Sequence, residues 1–253
     1  MTLIKGQRQR RLSVYFTAGY PQLEDTLPLA KQLENAGVDF LEIGFPYSDP
    51  VADGPIIQNS SEVALKNGMT LKHLFGQLRL LRPEVQLPVY LMGYFNPVLQ
   101  YGVERFCEEC QKCGIDGVIL PDLPFDDYES LYQPTFKKYG VKAVFLITPQ
   151  TDEARIKEID RLSEGFIYVL SAAATTGKQL DVSDDTTAYF NRISKMDLHN
   201  PMVIGFGISD HGTFSRATDY AEGAIVGSAF VKLLGEPNYQ DLLPSFIKNL
   251  KEG

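Results

Sequence analysis

Leu41-Glu42-Ile43-Gly44-Phe45-Pro46-Tyr47-Ser48-Asp49-Pro50-Val51-Ala52-Asp53-Gly54-Pro55 starts as a strand and finishes as a loop stiffened by proline and glycine. Val38 to Ile43 is a run of β-favouring, mostly apolar residues that Glu42 breaks near its end, and Gly44 and Pro46 stop it. Side chains alternate along a strand, so Leu41 and Ile43 share one face while Phe40 and Glu42 share the other. If helices cover the first face, Glu42 points into an interior. A lone carboxylate there costs several kcal/mol unless it is paired, neutralised or used. The loop then adds Asp49 and Asp53. A strand-end acid facing a second acid on the following loop is an acid–base pair in need of a substrate.

Working outward, the same short apolar runs recur. Leu12–Thr17, Pro88–Met92, Gly117–Leu120, Val141–Ile147, Gly165–Leu170, Pro201–Phe206 and Gly223–Val226 join Val38–Ile43 to make eight expected strands. Between them lie expected helices over Glu24–Asn35, Ser60–Leu80, Phe106–Lys112, Asp127–Tyr139 (interrupted near Pro134), Thr151–Leu162, Asp185–Met196, Asp210–Tyr220 and Tyr239–Lys251. Thr151 and Ser209 are the expected N-caps of two of them. Continuously apolar strands are those buried on both faces of a parallel sheet. Eight βα units in 253 residues fit a single (β/α)8 TIM barrel over 1–253. A doubly wound open sheet is the second choice, but it normally needs fewer strands and a glycine-rich first turn.

Charge and composition narrow the function. The net charge of -8 opposes a nucleic-acid partner and an anionic membrane surface. No apolar run approaches 18 residues, so no membrane span is expected, and the polar, basic residues 1–11 do not read as a secretory signal. A cytoplasmic location is the expectation. Cys107, Cys110 and Cys113 have the spacing of part of a metal motif, but no fourth ligand follows. On a helix they form one weakly apolar stripe and read as reduced structural cysteines. The three histidines are scattered, and no metal is assigned.

In a barrel, chemistry sits at the C-terminal ends of the strands. That places Glu42 and Asp53 together as candidate catalytic residues, the bland alternative being a buried ion pair and a turn cap. The loops after the seventh and eighth strands, Gly205-Phe206-Gly207-Ile208-Ser209 and Gly227-Ser228, suit a phosphate, with Gly207, Gly227 and Ser228 as its ligands. Tyr15, Tyr94, Tyr168, Phe206 and Ile225 would line an apolar, aromatic site for a flat ring with a phosphorylated tail. No lysine ends a strand, which disfavours a Schiff-base aldolase.

The stretch Leu41 to Gln58 resembles the signature of the tryptophan synthase alpha chain family. So do Phe16-Thr17-Ala18-Gly19-Tyr20-Pro21, Leu91-Met92-Gly93-Tyr94-Phe95-Asn96-Pro97, Asp116 to Pro124 and the two glycine loops. The resemblance implies cleavage of indole-3-glycerol phosphate to indole and glyceraldehyde 3-phosphate. Glu42 would be the general acid–base at the indole C3 and Asp53 the carboxylate on the indole N–H. It also implies Ile119 and Thr176 in the substrate site and Gly177 at the phosphate. A pyridoxal-phosphate beta chain would dock around Pro46, Asp49 and Asn96 in an alpha2-beta2 complex, with no cofactor in this chain. The family loop Ser-Arg-Ala-Gly-Val-Thr-Gly reads Ser171-Ala172-Ala173-Ala174-Thr175-Thr176-Gly177 here, without the Arg and with Ala174 at the flexible Gly. That departure leaves room for a second reading, a regulatory subunit that holds a phosphorylated ligand and mainly activates a partner. A sugar-phosphate isomerase is a third reading, disfavoured by the Pro-Tyr-Ser-Asp-Pro motif.

Overall fold

The computed structural model describes residues 10–171 and 184–253, so the expectations at Ala172, Ala174, Thr176 and Gly177 lie outside the described residues. Parallel strands β1 (Arg11–Thr17), β2 (Phe40–Gly44), β3 (Val89–Met92), β4 (Gly117–Ile119), β5 (Lys142–Val144), β6 (Leu146–Ile147), β7 (Ile167–Leu170), β8 (Met202–Gly205) and β9 (Gly223–Val226) form one sheet. Its order is β5-β4-β3-β2-β1-β9-β8-β7-β6. The two ends of that order are consecutive in the chain, with only Phe145 between them, so the sheet closes on itself as a barrel ringed by helices.

The expected fifth strand is therefore split. Phe145 gives its N–H to Ser163 Oγ (3.4 Å) while its carbonyl accepts from the Tyr168 N–H (3.0 Å). Its ring packs outward against Phe125 and Tyr128, at centroid distances of 5.5 and 5.0 Å.

The alternation in β2 holds. Leu41 and Ile43 are fully buried in the outer layer between sheet and helices, each worth roughly 1.5–3 kcal/mol of burial. Phe40 faces inward and packs with Tyr90 and Phe166 in the barrel's interior cluster, with centroids 6.2 and 5.7 Å away. Glu42 follows it on the same inner face, two residues before the strand ends. Ser13, Tyr15 and Thr17 are the inward residues of β1, and Tyr15 pairs in register with Glu42.

Several helix expectations are corrected. Ser60–Leu80 is not one helix but two, Pro55–Lys66 and Leu71–Leu78. Gly68 takes φ +96° between them, and Thr70 caps the second by accepting from the His73 N–H. The first starts early because Pro55 suits an N-terminal turn. The caps expected at Thr151 and Ser209 are Asp152 and Asp210, the latter in a reciprocal box with Thr213. Near Pro134 a π-turn, Tyr128–Tyr132, absorbs the missing N–H before the helix Gln133–Tyr139. Cys107, Cys110 and Cys113 are free thiols buried in the outer layer. No helix among the described residues is long and apolar enough to cross a membrane.

Candidate active site

Two adjoining cavities, of about 350 and 340 Å³, open among the C-terminal ends of the strands. Tyr15, Asp53, Met92 and Phe206 border both, which makes them two lobes of one site. The first lobe adds Tyr168, Ile225, Gly207, Gly227 and Ser228. Tyr47, Tyr94 and Leu170 belong to the second. The structure thus brings together Tyr15, Tyr94, Tyr168, Phe206, Ile225 and the three phosphate candidates around Asp53. Ile119 borders neither lobe and is packed in the barrel interior.

Glu42 also borders neither lobe. It is fully buried, and its neighbours Tyr15 and Tyr168, which do border the site, feel its charge. Ser13 Oγ stands 3.5 Å from Oε1, and Oε2 has no hydrogen-bond partner among the described residues. Among the described residues no cation answers the carboxylate, so the ion-pair alternative finds no partner there. Burial pushes its pKa up to about 8, only partly offset by Ser13.

Asp53 is held differently. Its loop is fastened by the Asp53 N–H on the Pro50 carbonyl (3.1 Å) and by Gln58 Nε2 on its own carbonyl (2.7 Å). Tyr94 Oη accepts the Ala52 N–H (2.9 Å), so its single proton is free to go to Asp53 Oδ2, 3.2 Å away. Burial raises Asp53 to about 6, and the tyrosine bond pulls the other way. Two carboxyls with different environments therefore stand at different points of titration near neutrality. Burial lifts Glu42 further than Asp53, the kind of separation that lets one carboxyl hold a proton while the other stays an anion.

At the other side of the first lobe, Phe206 (φ +72°) and Gly207 (φ +77°) both take left-handed backbone. For phenylalanine that conformation is strained, by about 1–3 kcal/mol. Its carbonyl is held by Ser171 Oγ (2.8 Å), and its ring meets Tyr168 edge-on at 6.4 Å. Gly227 precedes the helix Ser228–Leu234, whose first-turn amides have no intrahelical acceptors.

The rim residues Pro46, Asp49 and Asn96 are at least partly exposed. Asn96 Nδ2 donates to Tyr47 Oη (3.3 Å), joining their two loops, and Val51 beside them is 83% exposed.

Met92 and Lys232 line the site without having been singled out from sequence. Met92 ends β3 on the inner face, which strand alternation could have shown. Lys232 lies one helical turn after Ser228, a spacing that becomes informative once that helix is placed on the cavity wall. Among the described residues no group of three or more His, Cys, Asp or Glu is arranged to hold a metal ion.

A family model described as tryptophan synthase alpha chain matches residues 1–249. The tryptophan synthase alpha chain of Christiangramia forsetii is 55% identical over 240 residues, covering 95% of this chain and 93% of the relative. Among solved structures, the tryptophan synthase complex of Pyrococcus furiosus contains a chain that superposes with a TM-score of 0.86 at 32% identity, over 95% of this chain and 97% of that one. A structure of the a2b2 complex from the same organism, concerned with mutual activation, gives 0.85 at 31%, with the same coverage.

Proposed function

This chain belongs to the tryptophan synthase alpha chain family, and on that premise we propose how its site works. It is a lyase that carries out the alpha reaction of L-tryptophan biosynthesis, splitting indole-3-glycerol phosphate into indole and glyceraldehyde 3-phosphate. The separation of the two carboxyls carries the assignment of roles. The Glu42 side chain turns past Tyr15 into the site and gives its proton to the indole C3, leaving a cationic ring. Asp53, still ionised, accepts the indole N–H and stabilises that cation. The Glu42 carboxylate then takes the proton of the adjacent chain hydroxyl. The C–C bond breaks, its electron pair restores the neutral indole, and the hydroxyl carbon becomes the aldehyde. General acid–base work of this kind contributes typically about 10²–10⁴-fold.

The indole ring fits the apolar lobe by Tyr94 and Met92. The phosphate lies on Gly207, Gly227 and Ser228; the resemblance adds Gly177 to the phosphate ligands and Thr176 to the substrate contacts, both outside the described residues. Ile119 supports the site from below. The solved a2b2 complexes support a beta-chain partner, seated on the exposed rim at Pro46, Asp49 and Asn96 and carrying the pyridoxal phosphate that this chain would not need. A cytoplasmic location suits such a pathway enzyme. The purely regulatory reading is not favoured, since both carboxyls are present and differently poised. Incubation with indole-3-glycerol phosphate should release indole and glyceraldehyde 3-phosphate in equal amounts, faster when a beta chain is added. Release of neither product under both conditions would refute the lyase.

A further inference from the structure

Ser60 has one hydroxyl proton and two short contacts. Its Oγ lies 2.8 Å from the Ile57 carbonyl and 2.7 Å from Thr17 Oγ1. A carbonyl can only accept, so for both contacts to be hydrogen bonds Ser60 donates to Ile57 and accepts from Thr17. Thr17 has then used its own proton. Its 3.4 Å contact with Tyr15 Oη is one in which the tyrosine donates. Three hydroxyls therefore point one way, from β1 across to the helix Pro55–Lys66, and Tyr15 keeps only its oxygen lone pairs for other partners. The phenol does not escape this by ionising, because burial and then the charge of Asp53 hold it well above its ordinary value.

The position of that oxygen is fixed as well. A Cβ on Gly44 would collide with Tyr15 Oη, so the tyrosine end occupies the space that glycine leaves. A Cβ on Gly227 would lie 3.7 Å from Tyr15 Cβ, so Gly227 flanks the ring's root. Tyr15 is thus one of the four residues shared by both lobes, between Asp53 and the phosphate loops. A substrate whose ring fills one lobe and whose phosphate fills the other runs its three-carbon chain between these four, Tyr15 among them.

We propose that Tyr15, already on the wall of the site, determines specificity there as a hydrogen-bond acceptor oriented by Thr17 and Ser60, which receives a hydroxyl of the substrate's glycerol chain. This rests on the lyase reading above. It makes the site selective for a hydroxylated chain over a plain alkyl one, at about fivefold to tenfold for one well-made hydrogen bond. Ser60 never touches the ligand; it acts as a positioning residue through Thr17.

The test compares indole-3-glycerol phosphate, by kcat/KM, with indole-3-propanol phosphate, the same skeleton without chain hydroxyls, by its inhibition constant. Tyr15→Phe should lower kcat/KM roughly fivefold to tenfold and leave the inhibition constant within about twofold. Ser60→Ala should lower kcat/KM by about twofold to fivefold with the same indifference to the analogue. The double variant should lose no more than Tyr15→Phe alone, because both remove the same interaction. If Tyr15→Phe weakens the analogue as much as the substrate, the tyrosine shapes the site and accepts nothing. If the two single losses multiply in the double variant, the relay is wrong. A wild type that binds the analogue but releases no indole would instead overturn the lyase reading, and this inference with it.

Discussion

Glu42→Gln should make the protein more stable, and by an amount that grows with pH. The carboxyl is fully buried, and burial lifts it from its ordinary 4.5 to about 8. Between those two values the folded chain keeps the proton that the unfolded chain has released. The folded state then binds more protons than the unfolded one, so stability falls as pH climbs through the window. At about 1.4 kcal/mol per pH unit, a window of about 3.5 units sets a ceiling of about 5 kcal/mol. It is a ceiling because a charged Glu42 can turn toward the open lobes and recover water. Glutamine has nearly the same shape and does not titrate. Urea unfolding of both proteins at pH 5, 6, 7, 8 and 9 gives the difference directly. The gap should widen in favour of the variant from pH 5 to about 8 and level off by pH 9. A gap constant to within about 1 kcal/mol would mean that the carboxyl titrates near its ordinary value, and the physical basis for a protonated acid at neutral pH would be gone.

Other outcomes follow from the same geometry. The pH profile of kcat/KM should be bell-shaped, rising through about 6 as Asp53 ionises and falling through about 8 as Glu42 loses its proton; a flat profile from 5 to 9 would contradict the two roles. Asp53→Asn removes the charge facing the developing ring cation while keeping an acceptor for Tyr94, so kcat should drop by about 10²-fold or more with KM little changed; a rise in KM alone would make Asp53 a binding residue. Ser228→Asp sets a carboxylate at the phosphate lobe without the backbone strain that any side chain would meet at Gly207. Inhibition by inorganic phosphate or glycerol phosphate should disappear in that variant, and unchanged inhibition would move the phosphate elsewhere.

The barrel was legible because its strands are short apolar runs bounded by glycine and proline, and such runs have few other uses. Alternation placed Leu41 and Ile43 outward and Phe40 and Glu42 inward correctly. The split at Phe145 was not legible, since it depends on a hydroxyl from Ser163, eighteen positions away, drawing off one N–H. The break at Gly68 was present in the sequence but masked by apolar residues that keep helical spacing on both sides of it. Asp53 is a similar case. Its loop could be read, but its poise depends on Tyr94, whose proton direction follows from an Ala52 amide that no sequence pattern exposes. The Tyr15–Thr17–Ser60 relay joins two elements 43 positions apart and needed three-dimensional contacts to be seen.

The chemistry turns on Glu42 moving the proton. The most direct measurement is indole release from indole-3-glycerol phosphate by the wild type and by Glu42→Gln, each with and without a beta chain, at saturating substrate. The variant should fold, retain binding of indole-3-propanol phosphate, and lose about a hundredfold to ten-thousandfold in kcat. A Glu42→Gln protein turning over within tenfold of wild type would remove Glu42 from the chemistry.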